Sequence, residues 1–189
     1  MYILHTLTAL ACIATSIASD TVRRAAPIFD VYLFEDNGCE GAVGQICEGL
    51  QAGACCSMEK DTELATSAMY TDPGRATPSS EYEIGVFARV WESADQRWEA
   101  CGLQTTKDEK CADGRYLSIS GAMVQAGSIT PTRRGVGGKV ERARSYFFLH
   151  GKMRWTLEVA SDAGREYTSI PRSQRAAYLR KHGKAKLLG

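Results

Sequence analysis

Cysteine is the residue type whose number and spacing promise the most chemistry in this sequence. Seven occur, at positions 12, 39, 47, 55, 56, 101 and 111. Cys12 lies in an apolar N-terminal stretch expected to be removed, which leaves Cys39, Cys47, Cys55, Cys56, Cys101 and Cys111. An even set of six in a secreted chain supports three disulfides, in any of 15 connectivities that sequence alone does not separate. Cys55 and Cys56 are expected to take different partners, because adjacent residues can hardly meet disulfide geometry with each other. Cys101 and Cys111 are expected to pair and close a short loop. Zinc is not expected: no Cys-x-x-Cys pair occurs, and only His150 and His182 follow the N-terminal stretch. No metal or cofactor is implied.

Hydrolytic chemistry needs a nucleophile and an oriented base, and the sequence offers little of either. No G-x-S-x-G, H-E-x-x-H, P-loop or G-x-G-x-x-G motif occurs. Glu81, Glu83, Glu92 and Glu99 flank expected strands and could supply a carboxylate pair of the glycosidase kind. His150, Arg154 and Glu158 could serve a small ribonuclease, although their spacing is not distinctive. No catalytic residue is assigned, and binding is expected ahead of turnover.

Charge divides the chain. From Ala25 to Thr130 there are 7 Lys and Arg against 17 Asp and Glu; from Pro131 to Gly189 there are 14 against 4. The simplest consequence is that the two parts pack together and offset each other. The sharper one is that the basic part meets an anionic partner. Arg142, Arg144, Lys152 and Arg154 surround Tyr146, Phe147, Phe148 and Trp155, and form the candidate anionic-partner surface. Nucleic acid could stack on such a surface, but no nucleic-acid-binding motif accompanies it.

The elements that must position these residues begin after residues 1–18, which contain no Asp, Glu, Lys or Arg and end in Ser16-Ile17-Ala18. This is the small-x-small pattern of a signal-peptide cleavage site, so cleavage is expected after Ala18. Arg23-Arg24 reads as a dibasic processing mark ending a short pro-segment, 19–24. Ile28 to Phe34, Tyr82 to Trp91 and Tyr116 to Gln125 read as strands, and Arg97 to Cys101 pairs back on the second. Met58 to Met69 fits either a short helix or a loop and strand. Residues 127–140 are a Gly-rich loop or linker that carries Arg133-Arg134. Ser145 to Leu149 and Met153 to Val159 form a hairpin. A short helix follows, with Ser169 as cap, Pro171 in its first turn and Gly183 at its end. No segment after residue 18 is long and apolar enough to span a membrane.

From Val31 to Ala122 the chain resembles small secreted cysteine-rich, effector-like proteins of filamentous fungi. The resemblance is carried by Tyr32-Leu33-Phe34, Cys39-Glu40-Gly41, Cys47, Leu50, Gly53, Cys55-Cys56, Cys101-Gly102, Cys111 and Ser120-Gly121-Ala122. Leu33-Phe34-Glu35-Asp36 with Gly41 is also similar to a βγ-crystallin first strand and turn, without that family's calcium-binding pattern. The resemblance implies secretion and action on a host or competitor, and no mechanism. The expected architecture is mainly β: a disulfide-bonded domain over 25–126, built as a small sandwich or crystallin-like unit, then a basic hairpin-plus-helix segment over 141–189. The expected function is that of a secreted, non-catalytic binding protein. The alternative is a toxin or small hydrolase acting on nucleic acid or cell-wall polysaccharide.

Overall fold

The computed structural model describes residues 27–39, 41–60, 64–73, 81–93, 97–108, 110–114, 118–127 and 139–188. The expected cleavage and processing residues Ala18, Arg23 and Arg24, and Arg133-Arg134 of the linker, lie outside them. Among the described residues two sheets form. The larger contains β1 (Ile28–Phe34), β2 (Val43–Gln51), β4 (Ser67–Thr71), β7 (Cys111–Asp113), β10 (Ser145–His150), β11 (Met153–Glu158) and β12 (Lys184–Leu187). Its order is β12-β11-β10-β2-β1-β4-β7. The smaller contains β3 (Cys55–Ser57), β5 (Tyr82–Glu92), β6 (Arg97–Asp108), β8 (Gly121–Ala126) and β9 (Val140–Arg142), in the order β6-β5-β8-β3-β9. No described helix is long and apolar enough to cross a membrane.

The sheets form the expected sandwich, because alternate residues of each strand point to opposite faces. Phe29, Val31, Leu33 and Cys47 of the larger sheet meet Cys56, Ile84, Val86, Ala122 and Val124 of the smaller in one buried core. The hairpin β10–β11 belongs to the larger sheet, where β10 pairs antiparallel with β2. On the same face of that sheet, beyond the reach of the smaller one, Tyr146, Phe148 and Leu157 are covered by α1 (Asp162–Tyr167) and α2 (Arg172–His182) through Tyr167 and Leu179. The larger sheet buries its other face too. Tyr32, Phe34, Ile46 and Phe147 cluster there, with the Phe147 ring edge-on to Tyr32 at 5.1 Å and to Phe34 at 5.2 Å.

Three disulfides staple this frame: Cys39–Cys111, Cys47–Cys56 and Cys55–Cys101. The expected Cys101–Cys111 pair does not form. Cys56 points into the core and bonds Cys47 of the opposite sheet, whereas Cys55 points outward, so the adjacent pair divides as expected. Cys101 reaches Cys55 because the β5–β6 hairpin, whose register shifts twice, bends back over the outer face. There Phe87 and Met123 pack around the disulfide. Gly121 allows this approach: a Cβ at that position would lie 2.8 Å from the Cys101 sulfur and 2.7 Å from the Cys56 carbonyl oxygen.

Other expectations change in detail. Of Met58 to Met69, the described residues 58–60 and 64–66 are not helical, Ala65 bridges Ile119, and the range ends in β4. The cap of α2 is Pro171; the Ser169 hydroxyl instead donates to the Glu166 carbonyl. Gly183 ends α2 as expected. Its buried residue is Leu179, with Ala176 and Tyr178 partly buried beside it.

Candidate functional site

The basic residues singled out in the sequence are not brought together. Arg142 lies on β9 of the smaller sheet and donates to the Glu59 carbonyl oxygen. Arg144 is exposed between β9 and β10, and Lys152 sits at the β10–β11 turn. Arg154 leaves the expected surface altogether, being 1% exposed. Its guanidinium lies over the Tyr32 ring at 5.7 Å, donates to the Tyr32 hydroxyl at 2.6 Å and to Asp30 Oδ2 at 3.2 Å, and also pairs with Glu48.

A bulge in β2 explains that cluster. Phe29 pairs with Leu50 and Val31 with Cys47, so Glu48 and Gly49 together oppose Asp30. Gly49 takes φ +68°, a left-handed conformation suited to glycine, and its N–H donates to Asp30 Oδ1 at 3.0 Å. Asp30 is thereby fixed with its second oxygen toward Arg154. Burial raises the Tyr32 phenol above its ordinary value, partly opposed by the Arg154 charge. For Arg154, burial disfavours the charge, but Tyr32, Glu48 and Asp30 outweigh it and the net direction is upward. The cluster is a structural lock between β1 and the basic hairpin.

The hydrolytic candidates are likewise dispersed. His150 shares a face with Phe148, on which its ring stacks at 6.1 Å, while Arg154 and Glu158 project from the opposite face of the same hairpin. Glu158 faces Lys184 at 3.5 Å. Glu83 is paired with Lys107 at 2.6 Å, near the end of the β5–β6 hairpin remote from Glu99. No described group of three His, Cys, Asp or Glu could hold a metal ion.

A cleft that the sequence did not reveal lies where the smaller sheet and the helices leave part of the larger sheet uncovered. It encloses about 290 Å³ and is lined by Glu35, Gln45, Met58, Leu64, Tyr146, Tyr167, Thr168, Arg172 and Arg175. Gln45 and Tyr146 are register partners on β2 and β10 and come from the sheet floor. The Gln45 side-chain oxygen accepts from the Glu59 N–H at 2.8 Å, tying the floor to the Met58 wall. Arg172 and Arg175, three residues apart on α2, fall on one helical face. Both reach Glu35: Arg175 Nη1 donates to Oε1 at 2.6 Å and Arg172 Nε to Oε2 at 3.0 Å. The Arg175 guanidinium also lies 5.1 Å from the centre of the Tyr167 ring.

Glu35 answers a local need of α2. That helix starts without a side-chain cap and without an acidic residue in its first turn, so its dipole and its two arginines call for a carboxylate from elsewhere. Asp36 Oδ1 also lies 3.9 Å from Arg172 Nη2, so the two cations are held by two carboxylates, and the cleft sets both guanidinium groups beside two tyrosine rings. Such a lining suits a small planar or acidic group. The signal was present in the i, i+3 arginines, but their meeting with Glu35, 137 residues distant from Arg172, is a tertiary event.

No protein-family model, curated protein or solved structure matches this chain.

Proposed function

We propose that this is a secreted, effector-like binding protein that acts without catalysis on a host or competitor partner, and that the Glu35–Arg172–Arg175 cleft takes an acidic or planar group of that partner. The observation that carries this reading is the state of Glu35. Among the described residues it is the one carboxylate lining the cleft, and both its oxygens are engaged by guanidinium groups. A carboxylate held at both oxygens by guanidinium groups is committed to fastening α2 and is not presented to a substrate proton. The arginines are well placed to recognise an anion. Three disulfides are compatible with an oxidising compartment.

The test uses the oxidised protein on RNA, chitin and glucan, with products and binding measured in the same samples. Saturable binding without products, weakened at least tenfold by Arg175→Ala, is the expected result for whichever polymer or extract-derived partner is bound. Turnover of any of the three by the wild-type protein would replace this reading with that of a toxin or small hydrolase.

A further inference from the structure

The basic C-terminal part holds two kinds of cation. One kind is paired with carboxylates: Lys139 with Glu141, Arg154 with Asp30 and Glu48, Arg165 with Asp162, Arg172 with Glu35 and Asp36, Arg175 with Glu35, and Lys184 with Glu158. The other kind meets no carboxylate among the described residues: Arg144, between β9 and β10, and Lys152, Arg180, Lys181 and Lys186, all of them exposed. Three of them, Lys152, Arg180 and Lys186, gather around β12. Lys186 lies on β12 opposite Arg154, and Lys152 accepts the Leu188 N–H through its carbonyl at the end of that strand. Arg180 is held over the Phe148 and Trp155 rings at 4.7 and 5.7 Å, and Trp155 is the register partner of Ala185. From Tyr167 to Gly189 the sequence has six Lys and Arg and no Asp or Glu.

Among the described residues β12 is also the open edge of the larger sheet, and all four of its residues are exposed, Leu187 at 68%. The Leu188 N–H points inward to Lys152. Antiparallel alternation then turns the N–H and C=O of Lys184 and Lys186 inward to β11, and those of Ala185 and Leu187 outward to solvent. The edge therefore offers unpaired backbone groups, an apolar side chain, and cations on both sides and at one end. Self-pairing of two copies would bring like charges together. An acidic strand meets none of that repulsion.

We infer that β12 is a docking edge for an extended acidic peptide segment of a partner, which adds as a further strand to the larger sheet. Backbone hydrogen bonds to Ala185 and Leu187 supply the pairing. Carboxylates at alternate positions face Lys186 and its neighbours, and intervening apolar residues cover Leu187. This is strand addition, and it engages all the features of the edge. A polyanion without a peptide backbone would engage only the cations. This site is separate from the cleft, and its failure would leave the reading of the cleft standing.

The probe is a labelled peptide of about eight residues in which Glu alternates with Val, followed by fluorescence anisotropy with the intact, oxidised protein. Two comparisons isolate the backbone. One is the same peptide with every valine N-methylated. The other is Ala185→Pro, which removes an outward N–H that no intramolecular bond uses and which an edge strand tolerates. The expected result is saturable binding, weakened at least tenfold by N-methylation and by Ala185→Pro, and weakened by raised salt and by Lys186→Ala. Equal binding of the N-methylated peptide, or displacement by polyphosphate with Ala185→Pro unaffected, would show a charge-only surface and overturn the proposal. Absence of binding at millimolar peptide would also overturn it, leaving the lysines as guards against self-association.

Discussion

Between Ile28 and Asp113 the fold is cross-linked by three disulfides, whereas from Lys139 onward the chain has no cysteine and is tied in by strand pairing and charge. β10 lies on β2, Arg154 locks onto Asp30 and Glu48, and Arg172 and Arg175 grip Glu35. The first region answers to reductant, the second to salt, pH and single charge changes. Each of these contacts of Arg154, Arg172 and Arg175 joins a cation of the basic part to a carboxylate of the acidic part. The charge asymmetry visible in the sequence thus works as an internal fastening, leaving a smaller, unpaired excess at β12.

The largest separation between the regions should come from the covalent staples. Removing Cys39–Cys111, which spans a sequence separation of 72, should cost about 4 kcal/mol by loop-closure entropy. Removing Cys47–Cys56, with a separation of 9, should cost about 2.5–3 kcal/mol on the same grounds. Paired Cys→Ala variants in equilibrium denaturation check the order. The reverse order would show that packing around the inter-sheet bond outweighs chain entropy.

Arg154 is the corresponding fastening of the second region. Arg154→Ala leaves the Asp30 carboxylate and Tyr32 hydroxyl without their cation and should destabilise by about 3–5 kcal/mol, as for other broken buried pairs. Arg154→Met with Asp30→Asn should recover part of that loss, because no buried charge is left unpaired and the Glu48 carboxylate, half exposed, is solvated. A destabilisation of Arg154→Ala below about 1 kcal/mol would place the pair among exposed contacts of little worth.

Glu35→Gln should cost about 1 kcal/mol, since Arg172 remains solvent-accessible. The difference from wild type should shrink in high salt. A salt-independent difference would mean that the side-chain amide disturbs packing and not charge.

The smallest effect concerns alkaline pH. Tyr32 has its phenol raised from an ordinary value of 10.0 by burial. The folded state therefore holds this proton more tightly than the unfolded chain does, and its contribution is complete below about pH 10. As pH rises through the folded value that contribution is lost. Thermal melts from pH 8 to 11.5 should show a decline above about pH 10 that is shallower in Tyr32→Phe. An equal decline in both proteins would assign it to other groups.

Much of the frame was legible in the sequence because it follows from local pattern. Alternation over Tyr82 to Trp91, the aromatic-rich Ile28 to Phe34, and the hairpin around His150-Gly151-Lys152 each report a backbone period. The separate partners of Cys55 and Cys56 follow from adjacency. What escaped depends on contacts distant in sequence. The bend that carries Cys101 over the smaller sheet arises from two register shifts in one hairpin, and proximity in sequence wrongly favoured Cys111. Arg154 looked like a surface cation because nothing around it signals Asp30, 124 residues away. The cleft needs β1, β2, β10 and both helices in place before Glu35 meets its arginines. β12 was missed because four residues of alternating Lys and apolar type after a helix end are too few to show a period.

The account rests on the basic part being built into the stapled sandwich, so that one rigid frame presents both the cleft and the β12 edge. Native-state hydrogen exchange tests this most directly. Amides of β10 and β11, such as those of Phe147 and Leu157, should open with the same free energy as the amides that join β1 and β2, and both sets should fall together in Arg154→Ala. Exchange of β10, β11 and β12 through a lower-energy opening that leaves β1 and β2 fully protected would contradict it, and would make the basic part a separable appendage.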